Sequence, residues 1–167
     1  MSVLVVASVI AAGVGPDRAV VPAVAQIMYN PSNADYVTIQ RMQTAGQFLR
    51  GYFAKNGHLP QTPQEVDGAL SALADDDPSS GSPPKEPNTK GYFRMYLDPS
   101  INPALGEQWK RSPPGSWQAP LNGIVTIIVG GDNYYLIWGS GMNFGPILDP
   151  NNGKAILVTG QLGQDAP

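Results

Sequence analysis

The order of apolar periods along the chain predicts an α+β fold, with helices first and antiparallel strands after them. Three observations carry that expectation. Between Tyr36 and Phe53 the apolar residues recur every three or four positions, the mark of an amphipathic helix. Thr62-Pro63-Gln64-Glu65 joins an N-cap, a first-turn proline and a capping-box glutamate. From residue 123 onward the apolar runs are short, β-branched or aromatic, and separated by turn residues.

Taken in order, residues 1–30 form an apolar assembly or membrane segment and residues 31–167 a globular head. Met1 to Val14 carries no charge. Gly15, Pro16, Asp17 and Arg18 interrupt it, and apolar character resumes from Ala19 to Met28. An uninterrupted membrane span needs about 20 apolar residues, which this stretch does not supply. It suits an imperfect membrane anchor or the buried axis of an assembly. Ala23-Val24-Ala25 also has the small-x-small form of a signal-peptide cleavage site. Against cleavage there, no Lys or Arg precedes the apolar run and Asp17 lies between that run and the site.

Pro31 lacks a donor and disfavours helical geometry at Asn30. An amphipathic helix is expected over 35–55, with Ile39, Met42, Leu49 and Phe53 facing a sheet. Asn56-Gly57 stops it, and Pro60 prevents resumption. A short helix over 63–74 buries Val66, Leu70 and Leu73. Residues 75–90, rich in Pro, Ser, Gly and Asp, read as an exposed loop. Strands are expected over 91–97 (an edge strand), 123–129, 134–138 and 154–159. Gly130-Gly131-Asp132-Asn133 turns the second into the third. Tyr134, Tyr135, Leu136, Ile137 and Trp138 should divide between the core and an outer face. The proline-rich stretch 98–122 reads as an irregular connection.

One domain of 167 residues can bury a core without disulfides, and the chain has no cysteine, which excludes both a disulfide framework and thiolate metal sites. Charged residues make up 14% of the chain, against roughly 25% in ordinary soluble domains. Such a composition suits an exported or assembled protein. The net charge of −3 and the lack of a basic stripe give no support to nucleic-acid binding.

The residues with chemical potential are few. His58 is the only histidine and sits in a turn beside Leu59-Pro60. Gly139-Ser140-Gly141 lacks the full G-x-S-x-G pattern of a nucleophile elbow. Asp75-Asp76-Asp77 reads as a solvated acidic loop. Asp149, Asn151, Asn152 and Gly153 cluster oxygen ligands at a turn and are a candidate for calcium, though without the closing Glu of an EF-hand. Tyr134, Tyr135, Trp138 and Phe144 could bind carbohydrate or pack in a core. No catalytic set, cofactor site or metal site is expected, and the chain reads as a non-enzyme.

Several residues fall in a familiar order. Met1-Ser2-Val3-Leu4 opens an apolar stretch, Pro22 is followed by Ala23, and Tyr52, Lys55-Asn56-Gly57 and Leu59-Pro60 close the amphipathic helix. This arrangement, over residues 1–75, resembles type IV pilins and the pseudopilins of type II secretion. The family usually has Glu where this chain has Val5, a departure that resembles tip-type minor subunits. The resemblance implies a long N-terminal helix, interrupted near Gly13–Pro22 and Asn30–Pro31, packed on a small antiparallel β-sheet head. It also implies a structural subunit of an extracellular filament or secretion pseudopilus on the cell surface. Val3, Leu4, Val5, Val6, Val9, Ile10, Val14, Val20, Val21 and Pro22 would then be the assembly surface. The implied partners are copies of the chain in a helical homopolymer, the inner membrane before assembly, and the assembly machinery. The competing expectation is a secreted binding or adhesion domain whose mature chain starts near Gln26.

Overall fold

The computed structural model describes residues 34–75 and 88–163. Helix α1 spans Ala34–Asn56 and helix α2 spans Pro63–Asp75. They are followed by strands β1 (Thr89–Lys90) and β2 (Phe93–Leu97), helix α3 (Pro103–Arg111), and strands β3 (Val125–Val129), β4 (Tyr134–Gly139) and β5 (Leu157–Gln161). The five strands form one sheet in sequence order.

The capping chemistry sets the helix ends. At α2 the Glu65 amide donates to the Thr62 hydroxyl (3.3 Å), and the Glu65 carboxylate accepts from the Thr62 amide (3.0 Å) and the Gln61 amide (2.8 Å). This reciprocal pair satisfies donors that a helix start would otherwise leave open. At the end of α1, Gly57 takes a left-handed conformation (φ 76°) and its amide reaches back to the Phe53 carbonyl.

Ile39, Met42, Ala45 and Leu49 of α1 and Val66, Ala69, Leu70 and Leu73 of α2 cover one face of the sheet. There they meet Phe93, Met95, Val125, Ile127, Val129, Tyr135 and Ile137. Phe53 is half-buried at the edge of that core. The other face is covered as well. Ile101, Trp117 and Ala119 are buried against Ile124, Ile128, Tyr134, Leu136 and Trp138, with Leu105 and Trp109 of α3 beside them. All of β3 and β4 is therefore buried, and their residues alternate between two apolar layers. Arg94 also lies in the second layer, with its guanidinium on the Thr126 hydroxyl (3.0 Å) and the Gln118 carbonyl (3.2 Å).

Three expectations are corrected. First, no long N-terminal helix is present among the described residues. The longest described helix is α1 with 23 residues, and its described part starts at Ala34. Thr38 turns its hydroxyl back to the Ala34 carbonyl (3.0 Å) in that first turn, and Pro31, three residues upstream, cannot supply an interior helical N–H. The predicted interruptions at Gly13–Pro22 and Asn30–Pro31 lie outside the described residues.

Second, the sheet is mixed. β2 pairs in parallel with β3, Phe93 opposite Val125 through Leu97 opposite Val129. The other three pairings are antiparallel. The 27 residues from Asp98 to Ile124 cross over one face, which parallel neighbours require and a hairpin cannot provide. β2 is consequently an interior strand, with β1 as the edge.

Third, the stretch 98–122 holds a helix. Asn102 is extended, its side-chain oxygen accepts from the Leu105 amide (3.1 Å), and Pro103 starts α3. α3 and the following loop occupy the face that was expected to be open. Tyr134, Leu136 and Trp138 are buried under them, while Tyr135 and Ile137 face α1 and α2.

Candidate functional site

The residues predicted to drive assembly, Val3 through Pro22, lie outside the described residues, as do Asp76 and Asp77. What the structure places is the end of the head at which α1 begins. There α1 rides directly over the end of β4. A Cβ on Gly139 would stand 2.5 Å from the Thr38 methyl and 2.9 Å from the Met42 sulfur, so only glycine admits this approach. Ser140 then locks the neighbouring loop. Its buried hydroxyl accepts from the Ile124 amide (2.9 Å) and donates to the Leu121 carbonyl (2.7 Å).

A tight loop projects beyond Ser140. The Phe144 amide donates to the Gly141 carbonyl (2.9 Å), the Gly141 amide to the Gly145 carbonyl (2.8 Å), and the Ala119 amide to the Phe144 carbonyl (2.9 Å). The loop carries Met142, 75% exposed, and Phe144, 46% exposed. Phe144 sits at φ 63°, in the left-handed region that disfavours a bulky side chain. Leu121, Tyr36 and Val37 are exposed nearby, at 40%, 37% and 42%. These five exposed apolar side chains lie on the segments that meet at the start of α1, and the half-buried Asp35 carboxyl lies among those segments, 3.3 Å from where a Cβ on Gly141 would stand. Burial pushes the Asp35 carboxyl above its ordinary value of 3.8. Arg41 stacks 4.1 Å over the Tyr92 ring and donates to the Gly123 carbonyl (3.3 Å).

The chemically suggestive residues are dispersed and serve local structure. His58 is half-buried beside α2, with its Nδ1 2.8 Å from the Leu59 carbonyl and its Nε2 3.8 Å from Glu65. The Glu65 carboxyl is held below its ordinary 4.5, chiefly by the Gln61 amide and then by the Thr62 amide and hydroxyl and by His58. Ser140 is a clamp with no histidine near it. Asp149 accepts from the Asn151 amide (2.8 Å) and side chain (3.1 Å) and from the Asn152 side chain (2.7 Å). Its carboxylate is engaged within its own turn. Among the described residues no group of three His, Asp or Glu is gathered to hold a metal ion. Of the candidate carbohydrate-binding aromatics, Tyr134, Tyr135 and Trp138 are buried, leaving only Phe144 outward. Trp138 stacks on Trp117 at 5.1 Å, and Trp109 meets Trp117 edge-on at 5.3 Å.

Two hollows went unread in the sequence. A cleft of about 450 Å³ opens at the opposite end, between Leu59-Pro60, Leu97, Pro99 and the β3–β4 turn. Asp132 is its one charged lining residue. A groove of about 430 Å³ runs between α1 and α2, floored by Gly51, Gly68, Ala69 and Ala72. Neither assembles an acid, a base and a nucleophile. The exposed apolar side chains at the start of α1 were also missed. Their signal was the run from Ser112 to Leu148, which holds a single charged residue, Asp132.

No family model, curated protein or solved structure matches the chain. Among those described, no helix is long and apolar enough to cross a membrane. What the arrangement offers is surface: two buried layers around a sheet, and exposed apolar side chains at the end where α1 begins.

Proposed function

We propose that this chain is a structural, non-enzymatic subunit of an extracellular filament of the type IV pilus or secretion-pseudopilus kind. Residues 1–30 are the assembly segment and residues 31–167 the head. The observation that carries the reading is the join between an uncharged apolar run, Met1 to Val14, and a head led by an amphipathic helix. The positions of Pro22 and of Leu59-Pro60 support it.

The physics is that of one greasy segment with two possible environments. Before assembly the segment sits in the inner membrane. After assembly it packs against other copies while the heads face water. Each Val, Leu or Ile kept from water contributes roughly 1.5–3 kcal/mol, so release into solvent is strongly disfavoured while transfer between the two apolar settings is not. Val3, Leu4, Val5, Val6, Val9, Ile10, Val14, Val20 and Val21 provide that surface, and Pro22 limits how the backbone runs through it. Contacts between unlike patches that do not close into a ring give an open helical polymer.

Mass analysis of the native chain together with electron microscopy of the cell surface tests this reading. Filaments containing a chain that retains Val3 to Pro22 are expected. A monomeric secreted protein whose chain begins near Gln26 would overturn it in favour of a secreted binding domain.

A further inference from the structure

The exposed apolar side chains at the start of α1 belong to neither of the head's two cores. Met142 is 75% exposed and Phe144 46%. Phe144 takes a left-handed backbone (φ 63°) that glycine would adopt without strain. A bulky, half-exposed ring at such a position is not explained by the packing of the head. Leu121, Tyr36 and Val37 extend the same surface. No lysine or arginine lies between Ser112 and Leu148, and Arg41, on the adjoining helix, is engaged with Gly123 and Tyr92.

We propose that this end of the head is a membrane-seating surface, lying in the boundary between headgroups and acyl chains of the bilayer that holds the unassembled subunit. The proposal rests on the filament-subunit reading and deepens it by naming a contact of the head. Two arguments select lipid as the occupant. Apart from Gln26 the chain from Ala19 to Met28 is apolar, and the six residues from there to Ala34 span at most about 20 Å. A bilayer holding residues 1–28 therefore holds this end of the head close to its surface. The exposed apolar side chains are also of the interfacial kind, Tyr, Phe, Met, Leu and Val, and the one carboxyl beside them, Asp35, is half-buried against Gly141. With no cation among these side chains, seating depends on apolar insertion and not on anionic lipid.

The absence of cysteine makes the test clean. Met142→Cys and, as a control on the far turn, Asp132→Cys are each spin-labelled in the full chain. Each is reconstituted into vesicles of phosphatidylcholine alone, with circular dichroism to confirm that the fold is kept. The label at 142 is expected to favour oxygen over a water-soluble nickel chelate, at a depth of about 5–10 Å, and the label at 132 to favour nickel. Added anionic lipid should leave both unchanged. Equal nickel access at 142 and 132 overturns the proposal, as does a chain that fails to float with the vesicles. Spin–spin broadening at 142 that vanishes on dilution with unlabelled chain overturns it in favour of contact with a second copy. Filaments seen by microscopy together with a water-exposed label at 142 would leave the filament reading standing and remove this one. A lipid-facing label in a chain that never polymerises would do the reverse.

Discussion

Ser140 has a fully buried hydroxyl that joins two backbone groups from the preceding loop, the Ile124 amide and the Leu121 carbonyl. Removing it leaves a buried donor without its partner, a loss of about 1–3 kcal/mol. Ser140→Ala should lower the urea midpoint accordingly with an unchanged slope. A drop confined to experimental scatter would show that solvent replaces the hydroxyl. Two carboxyls set the response to acid in opposite senses. Glu65 holds its proton more weakly in the folded chain, so its contribution is fully present above the unfolded value of 4.5 and is lost as pH falls through the lower folded value. Asp35 is raised by burial, so its contribution is complete below 3.8 and lost as pH rises through the higher folded value. Glu65→Gln should therefore flatten the acid-side loss of stability, and Asp35→Asn should steepen it. Denaturant titrations across the carboxylate range read both slopes, and an unchanged profile in Glu65→Gln would deny the capping carboxylate its role.

Elements were legible where local chemistry and tertiary packing agree. The three-and-four spacing of Ile39, Met42, Ala45 and Leu49 gives the buried face of α1 because that face packs on the sheet. The capping box at Thr62–Glu65 marks the start of α2 by bonds within a single turn. Element α3 was hidden by its surroundings, since Pro99, Pro113 and Pro114 flank it and only Gly106 of its nine residues is buried. The Asn102-Pro103 pair was nevertheless a usable signal. Parallel pairing of β2 with β3 could not be read from the strands themselves, because an interior strand shows the same apolar run in either direction. It followed from the crossover, which needs α3 to be recognised. The second layer depends on that crossover. Trp117→Ala should cost about 3–5 kcal/mol, with loss of the coupled tryptophan signal in circular dichroism. Asn102→Ala, which removes only the cap, should cost about 0.5–2 kcal/mol. Equal effects from the two would mean that α3 is held by its cap and not by the aromatic stack.

On the scale of the whole molecule the sheet separates two kinds of work. α1 and α2 close one face, and α3 with residues 112–119 closes the other, so both faces of the central strands β3 and β4 are covered. In the proposed filament, contacts between copies would use the apolar first segment, leaving the sheet's covered faces intact. A charge placed in that segment should separate assembly from folding. Val9→Asp puts a carboxylate into a run that is uncharged from Met1 to Val14, and an unpaired charge in an apolar setting is expelled or neutralised at large cost. Filaments should be lost in this variant, read by electron microscopy, while the urea midpoint of the head stays within about 0.5 kcal/mol of the parent, as distant independent sites do. Val9→Leu, which keeps the surface apolar, should restore polymers. Filaments that persist in Val9→Asp would remove residues 1–30 from the assembly surface. A head that unfolds with the substitution would place Val9 in its core, and either result would end the division of labour between segment and head.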